Sequence, residues 1–147
     1  MNKSPRPYPI TDRGASPLVV NLPAATERNT AFRRALFTGE HLQLTVMSVP
    51  AGEEIGIEVH PDTDQMLRIE SGNALLRMGN SADTLRDEKR LGPGAVILIP
   101  AGTYHNLINL SRTPLGISSV YAPPHHPQGT VHPTRADAEA AEKPHAP

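Results

Sequence analysis

Gly94-Ala95-Val96-Ile97-Leu98-Ile99-Pro100-Ala101-Gly102-Thr103-Tyr104-His105-Asn106-Leu107-Ile108-Asn109 is the stretch that decides the reading of this chain. Val96 to Ile99 is a short, β-rich apolar run bounded by glycine and proline, which favours a strand over a helix. Proline pre-sets the backbone of the following turn and Gly102 tolerates a positive φ there. A second strand then begins, and the turn fixes where it delivers His105.

Working back along the chain, a second informative stretch runs from Gly52 through Glu58-Val59-His60-Pro61-Asp62-Thr63-Asp64-Gln65 to Gly72. Side chains alternate along a strand, so Glu58 and His60 share a face and Val59 takes the other. After the turn at residues 61–64, a returning strand puts Gln65, Leu67 and Ile69 on one face and Met66, Arg68 and Glu70 on the other. Hairpin pairing is then expected to bring Gln65 near Glu58 and His60.

Together these stretches resemble the paired motifs of the cupin superfamily. Gly94, Pro100, Gly102, His105 and Asn109 meet the second motif in full. Gly52, Glu58, His60, Gln65 and Gly72 keep the spacing of the first, but Glu58 stands where the family has a histidine and Gln65 where it has a glutamate. The resemblance covers roughly residues 42–121. It implies an all-β fold, the double-stranded β-helix or jelly-roll cupin barrel, with its pocket inside.

The same resemblance implies a metal centre near one end of the barrel. Glu58, His60, Gln65 and His105 are its expected metal ligands, and Glu58 and His105 its expected catalytic residues. One divalent transition metal is the expected cofactor, since two imidazoles, a carboxylate and an amide oxygen suit Fe, Mn, Ni or Zn. The exchange of residues moves the negative charge without changing its amount, and leaves open whether Gln65 binds. Read singly, His60 or His105 is more often a satisfied polar residue than a ligand, and Glu58 with His60 fits a plain cross-strand charge pair.

Composition narrows the partners. The chain has 147 residues, 14 basic and 15 acidic, for a formal charge of −1. That length suits one domain, and the near-neutral balance argues against nucleic acid or a membrane surface. The absence of cysteine excludes disulfides and thiolate zinc sites. No segment has the length and hydropathy of a signal peptide or membrane span, so a cytoplasmic location is expected. With 2 Phe, 3 Tyr and no Trp, the core must be aliphatic and a base-stacking surface is not expected.

The remaining chain divides into an N-terminal arm (1–15), the barrel (16–121) and a Pro/His-rich tail with a short helix (122–147). Residues 17–22 read as a strand and 24–30 as a loop or single helical turn. Residues 30–38 and 41–49 read as strands, with Leu42, Leu44, Val46 and Ser48 sharing a face. Residues 74–78 and 115–121 read as strands, and the charged run 84–91 as an exposed strand or loop. Thr134 and Asp137 mark the start of a helix that Pro144 ends.

Asn109 reads as structural, and Tyr104 faces away from His105. His125, His126 and His132 are candidates to close the pocket or supply a proton. Tyr121, His41, Arg34 and Arg68 are weaker candidates for substrate contacts. The function these residues imply is that of a divalent-metal-dependent enzyme acting on a small oxygenated metabolite. Its chemistry would be of dioxygenase type or of sugar(-phosphate) isomerase type, with Glu58 or a tail histidine moving the proton in the latter. The alternative is a non-catalytic barrel that binds or senses a small molecule. A homodimer is expected from the resemblance.

Overall fold

Nine strands and two helices make up the structure, a computed structural model that describes residues 11–142. In chain order they are α1 (Leu22–Arg28), β1 (Arg33–Thr38), β2 (Gln43–Val49), β3 (Asp64–Ser71), β4 (Ala74–Gly79), β5 (Asp87–Leu91), β6 (Val96–Ile99), β7 (Tyr104–Asn109), β8 (Leu115–Ala122), β9 (Val131–His132) and α2 (Arg135–Glu142). A six-stranded antiparallel sheet runs β6-β3-β8-β2-β1-β9, and a three-stranded one runs β5-β4-β7. Residues 1–10 of the expected arm, and the end of the expected tail, lie outside the described residues.

The apolar core lies between the sheets. Met47, Val49, Leu67, Ile69, Ile97, Ile99, Leu115 and Ile117 contribute from the large sheet, and Ala74, Leu76 and Leu107 from the small one. Strand alternation puts these residues inside, and the same inward rows turn polar toward one end. Gln43 and Thr45 continue the row of Met47 on β2, Gln65 that of Leu67 on β3, and Ser119 and Tyr121 that of Ile117 on β8; all five are buried. The barrel is therefore oily at one end and polar at the other.

Two expected elements differ. Residues 17–21 form no strand. Instead Asn21 accepts the Ala24 amide at 3.0 Å and Pro23 enters the first turn, so the chain coils into α1. Packed on the outside of β1 and β2, Ala25 joins Leu36 and Val46 in a second apolar cluster. The segment carrying Glu58 and His60 is not a regular strand either: it meets β7 only at the isolated bridges Glu54–Ile108 and Glu58–His105. It pairs with β7 instead of folding back on β3, whose edges are taken by β6 and β8.

At the C-terminus, β9 pairs with β1 and extends the large sheet beyond residue 121. α2 starts as expected: the Asp137 carboxylate accepts from the Thr134 amide and hydroxyl at 3.0 and 2.7 Å, and Thr134 Oγ1 accepts from the Asp137 amide at 3.2 Å. Its buried face holds little more than Ala138, which enters the core beside Phe32 and Ile55. Gly56, beside the Arg135 guanidinium of α2, has φ +89°, a backbone conformation that glycine adopts without strain.

Candidate metal centre

Two backbone junctions hold the site together. Glu58 and His105 exchange both main-chain hydrogen bonds, at 2.9 and 3.0 Å. The turn after β6, with Gly102 at φ +82°, donates the Gly102 amide to the His60 carbonyl at 2.9 Å and the Ala101 amide to Asp64 at 2.9 Å. Pro100 and Gly102 thus dock the two motif segments against each other and aim their side chains into the polar end of the barrel.

There Glu58 Oε2 lies 3.5 Å from His60 Nε2 and 3.9 Å from His105 Nε2. One donor atom from each residue falls within 4.8 Å of the others. His105 Nδ1 lies 3.0 Å from the Thr103 carbonyl oxygen, which can only accept. A neutral His105 therefore carries its proton on Nδ1 and presents a lone pair at Nε2.

Whether a cation fits is tested by the polar atoms that go unanswered. His60 Nε2, His105 Nε2 and Gln65 Oε1 are buried without a hydrogen-bond partner. Leaving such groups unpaired costs about 1–3 kcal/mol each. Nitrogen lone pairs, a carboxylate oxygen and an amide oxygen are donors that a divalent transition ion accepts, so the residues fit one. Gln65 is oriented for this role, since its Nε2 donates to Ser119 Oγ at 2.9 Å and its oxygen is left over.

Electrostatics keeps the donors in their ligating forms. Burial alone would raise the Glu58 carboxyl, but the adjacent His60 ring and the Arg33 guanidinium outweigh it and hold it down to about 2. Burial pushes the His105 imidazole below its ordinary value, against the Thr103 carbonyl and Glu58. At neutral pH Glu58 is therefore a carboxylate, and burial favours the uncharged ring of His105.

The segment leaving β8 brings the tail histidines onto this centre. His125 packs on His60 with ring centroids 4.2 Å apart, and Tyr121 meets His60 edge-on at 5.5 Å. Gln43 secures the segment by accepting the amides of His125 and His126 and donating to the His126 carbonyl. His126 is buried 3.4 Å from the Tyr121 hydroxyl, and burial, with Arg33, pushes its imidazole down to about 2. An open cleft of about 470 Å³, lined by Ile57, Glu58, Val59, His60, His125 and Glu142, leads to the donors.

A model of the cupin domain matches residues 45–121. The chain belongs to the cupin family. This cupin is 52% identical over 133 residues to the uncharacterized protein YrkC of Bacillus subtilis, an alignment covering 90% of this chain and 72% of that one. It is 42% identical over 114 residues to an uncharacterized protein of Acanthamoeba polyphaga mimivirus, covering 77% and 69%. Among solved structures it superposes on BH2720 of Bacillus halodurans with a TM-score of 0.87 at 53% identity, covering 89% of this chain and 99% of that one.

Not every candidate residue of this cupin reaches the centre. Arg34 lies opposite Val46, on the outer face, and its Nε donates to Asn29. Arg68 pairs with Glu70 on the outside of β3, and His41 pairs with Glu40 on an exposed turn. The cation that does reach the site is Arg33, which lies opposite inward-facing Met47 and is 1% exposed. Its Nη2 donates to Glu58 Oε1 at 3.0 Å. The signal for it was register: counted back from Met47, alternation sends Arg33 inward and Arg34 out. Glu142, at the end of α2, is the other residue that motif spacing could not supply. Asn109 is structural as expected, donating to the Val49, Pro50 and Thr113 carbonyls.

Proposed function

We propose that this chain is a divalent-metal-dependent cupin enzyme acting on a small oxygenated molecule of low net charge, with dioxygenase-type chemistry rather than sugar-phosphate isomerisation. The observation that supports it is the convergence of Glu58, His60 and His105 on one point, with their buried ring nitrogens unanswered. Glu58 Oε2, His60 Nε2 and His105 Nε2 would hold the ion, with Gln65 Oε1 as a weaker fourth donor. When bound, Fe, Mn or Ni there supplies Lewis acidity and redox activity toward dioxygen, whereas Zn supplies Lewis acidity alone.

The chain's own residues favour the first chemistry. Among the described residues lining the cleft none is Lys or Arg, while two are carboxylates, so no cationic side chain of the lining is there to bind a phosphate dianion. Glu58 is a poor general base, because a carboxyl held near 2 has little affinity for a proton at neutral pH. Ile57 and Val59 give the cleft an apolar wall, and the ring of His125 covers His60 from the solvent side.

No helix among the described residues is long and apolar enough to cross a membrane; a cytoplasmic, homodimeric enzyme is the reading carried with this proposal. The experiment is metal analysis with oxygen uptake. Protein reconstituted with Fe, Mn or Ni should hold about one equivalent and consume oxygen with its substrate. Bound metal below about a tenth of an equivalent after adding metal back would leave a binding barrel. Turnover with Zn and no oxygen uptake would point to isomerisation.

A further inference from the structure

We propose that Arg33 is the positioning residue of this centre, holding one oxygen of Glu58 so that the other is a single, fixed donor toward the cation. The inference rests on the metal-binding reading above and adds to it how the substituted ligand is controlled. A carboxylate on a two-bond stem can turn, and with both oxygens available it can bind one ion in two ways. In this chain Oε1 is taken: Arg33 Nη2 donates to it at 3.0 Å. Oε2 alone faces His60 Nε2 and His105 Nε2.

The guanidinium is itself fixed from behind. Arg33 is cross-strand neighbour to His132, and its Nη1 lies 3.4 Å from His132 Nδ1. Tyr121, fully buried, adds a phenol to the same surroundings. Burying a guanidinium is costly unless it is paired, and its Nε has no hydrogen-bond partner. The fold accepts that cost where a carboxylate has replaced a neutral ligand. Both β1 and β9 lie outside the residues matched by the cupin-domain model.

Two roles for Arg33 give opposite signs. Were it only a charge, removing it would lessen repulsion of the incoming cation and tighten binding. As a positioning group, its removal frees Glu58 to turn and weakens binding. The test is Co(II) titration of full-length wild type, Arg33→Met and Arg33→Lys by chelator competition, with the visible Co(II) spectrum as second readout and circular dichroism to confirm folding. Arg33→Met should bind Co(II) about 10- to 100-fold more weakly with a changed spectrum, and Arg33→Lys, which keeps the charge but not the planar fork, should recover part of the loss. If Arg33→Met does not fold, Arg33→Lys decides: binding at least about 3-fold weaker supports the role, and unchanged binding overturns it. Unchanged or tighter binding by folded Arg33→Met overturns it as well. Failure of the wild type to bind Co(II) would instead remove the metal-binding reading on which the inference stands.

Discussion

Glu58 and His105 face each other across a two-residue antiparallel bridge, their main chains bonded at 2.9 and 3.0 Å and their side chains 3.9 Å apart at Oε2 and Nε2. They come from segments nearly fifty positions apart in sequence. The paired main-chain hydrogen bonds of this bridge set the two side chains on the same side, so His105 on β7 fixes where the irregular segment presents Glu58.

His60→Ala and His105→Ala should each cut metal affinity by about 100-fold or more, because each deletes a strong nitrogen donor. Gln65→Ala should cost less, since a neutral amide oxygen is the weakest of the four. Calorimetric titration with Mn(II) or Co(II) reads the ranking; equal losses for all three would make Gln65 a full ligand.

Asn109→Ala should destabilise the fold by about 2 kcal/mol and leave metal affinity unchanged. The side chain ties three carbonyls from the β2 end and the turn before β8, and its own oxygen accepts the Ser111 amide at 2.8 Å. Urea denaturation alongside metal titration separates the two effects.

Gly79→Ala should destabilise by about 1–3 kcal/mol or more. A Cβ at Gly79 would fall on the backbone carbonyl of Thr84, where the turn into β5 closes on the end of β4 and nothing flexible can yield. A variant as stable as wild type in thermal denaturation would show that this turn is looser than the structure has it.

Acid should destabilise the metal-free protein from about pH 6.5 downward. The buried His126 imidazole is held down to about 2 against an ordinary value of 6.5, chiefly by burial. Below 6.5 the unfolded chain takes up a proton that the native state refuses, which costs about 1.4 kcal/mol per pH unit for each such group. Glu58 adds to this in the same direction: its folded value is depressed, so its stabilisation is present above 4.5 and lost as pH falls from there toward about 2. Urea midpoints at pH 7.5, 6.0 and 5.0 should fall steadily, and His126→Phe should flatten the upper part of the profile.

The part of this molecule legible in its sequence was the part set by local rules. Glycine and proline spacing located the turns, period-two alternation put Leu67 and Ile69 inside and Arg68 outside, and Thr134 with Asp137 marked the start of α2. The family spacing pointed to Glu58, His60, Gln65 and His105, of which the structure brings donor atoms of Glu58, His60 and His105 within 4.8 Å of one another. What escaped depended on pairing partners distant in sequence. Residues 17–22 carry an apolar run that suits a strand, but Asn21 and Pro23 cap a helix and no free sheet edge receives them. Arg33 and Arg34 are indistinguishable until β1 is registered against Met47 and Val46. The tail histidines gain their place from β9 and from Gln43 on β2, which pairs with β8 but lies some eighty positions away in sequence.

The account turns on whether three side chains hold one cation. Anomalous diffraction from crystals grown with Mn(II) or Co(II), collected at the metal edge, reads this directly. The account predicts one strong peak within bonding distance, about 2.0–2.4 Å, of Glu58 Oε2, His60 Nε2 and His105 Nε2. Protein that takes up the metal yet shows no peak among these three atoms would contradict it.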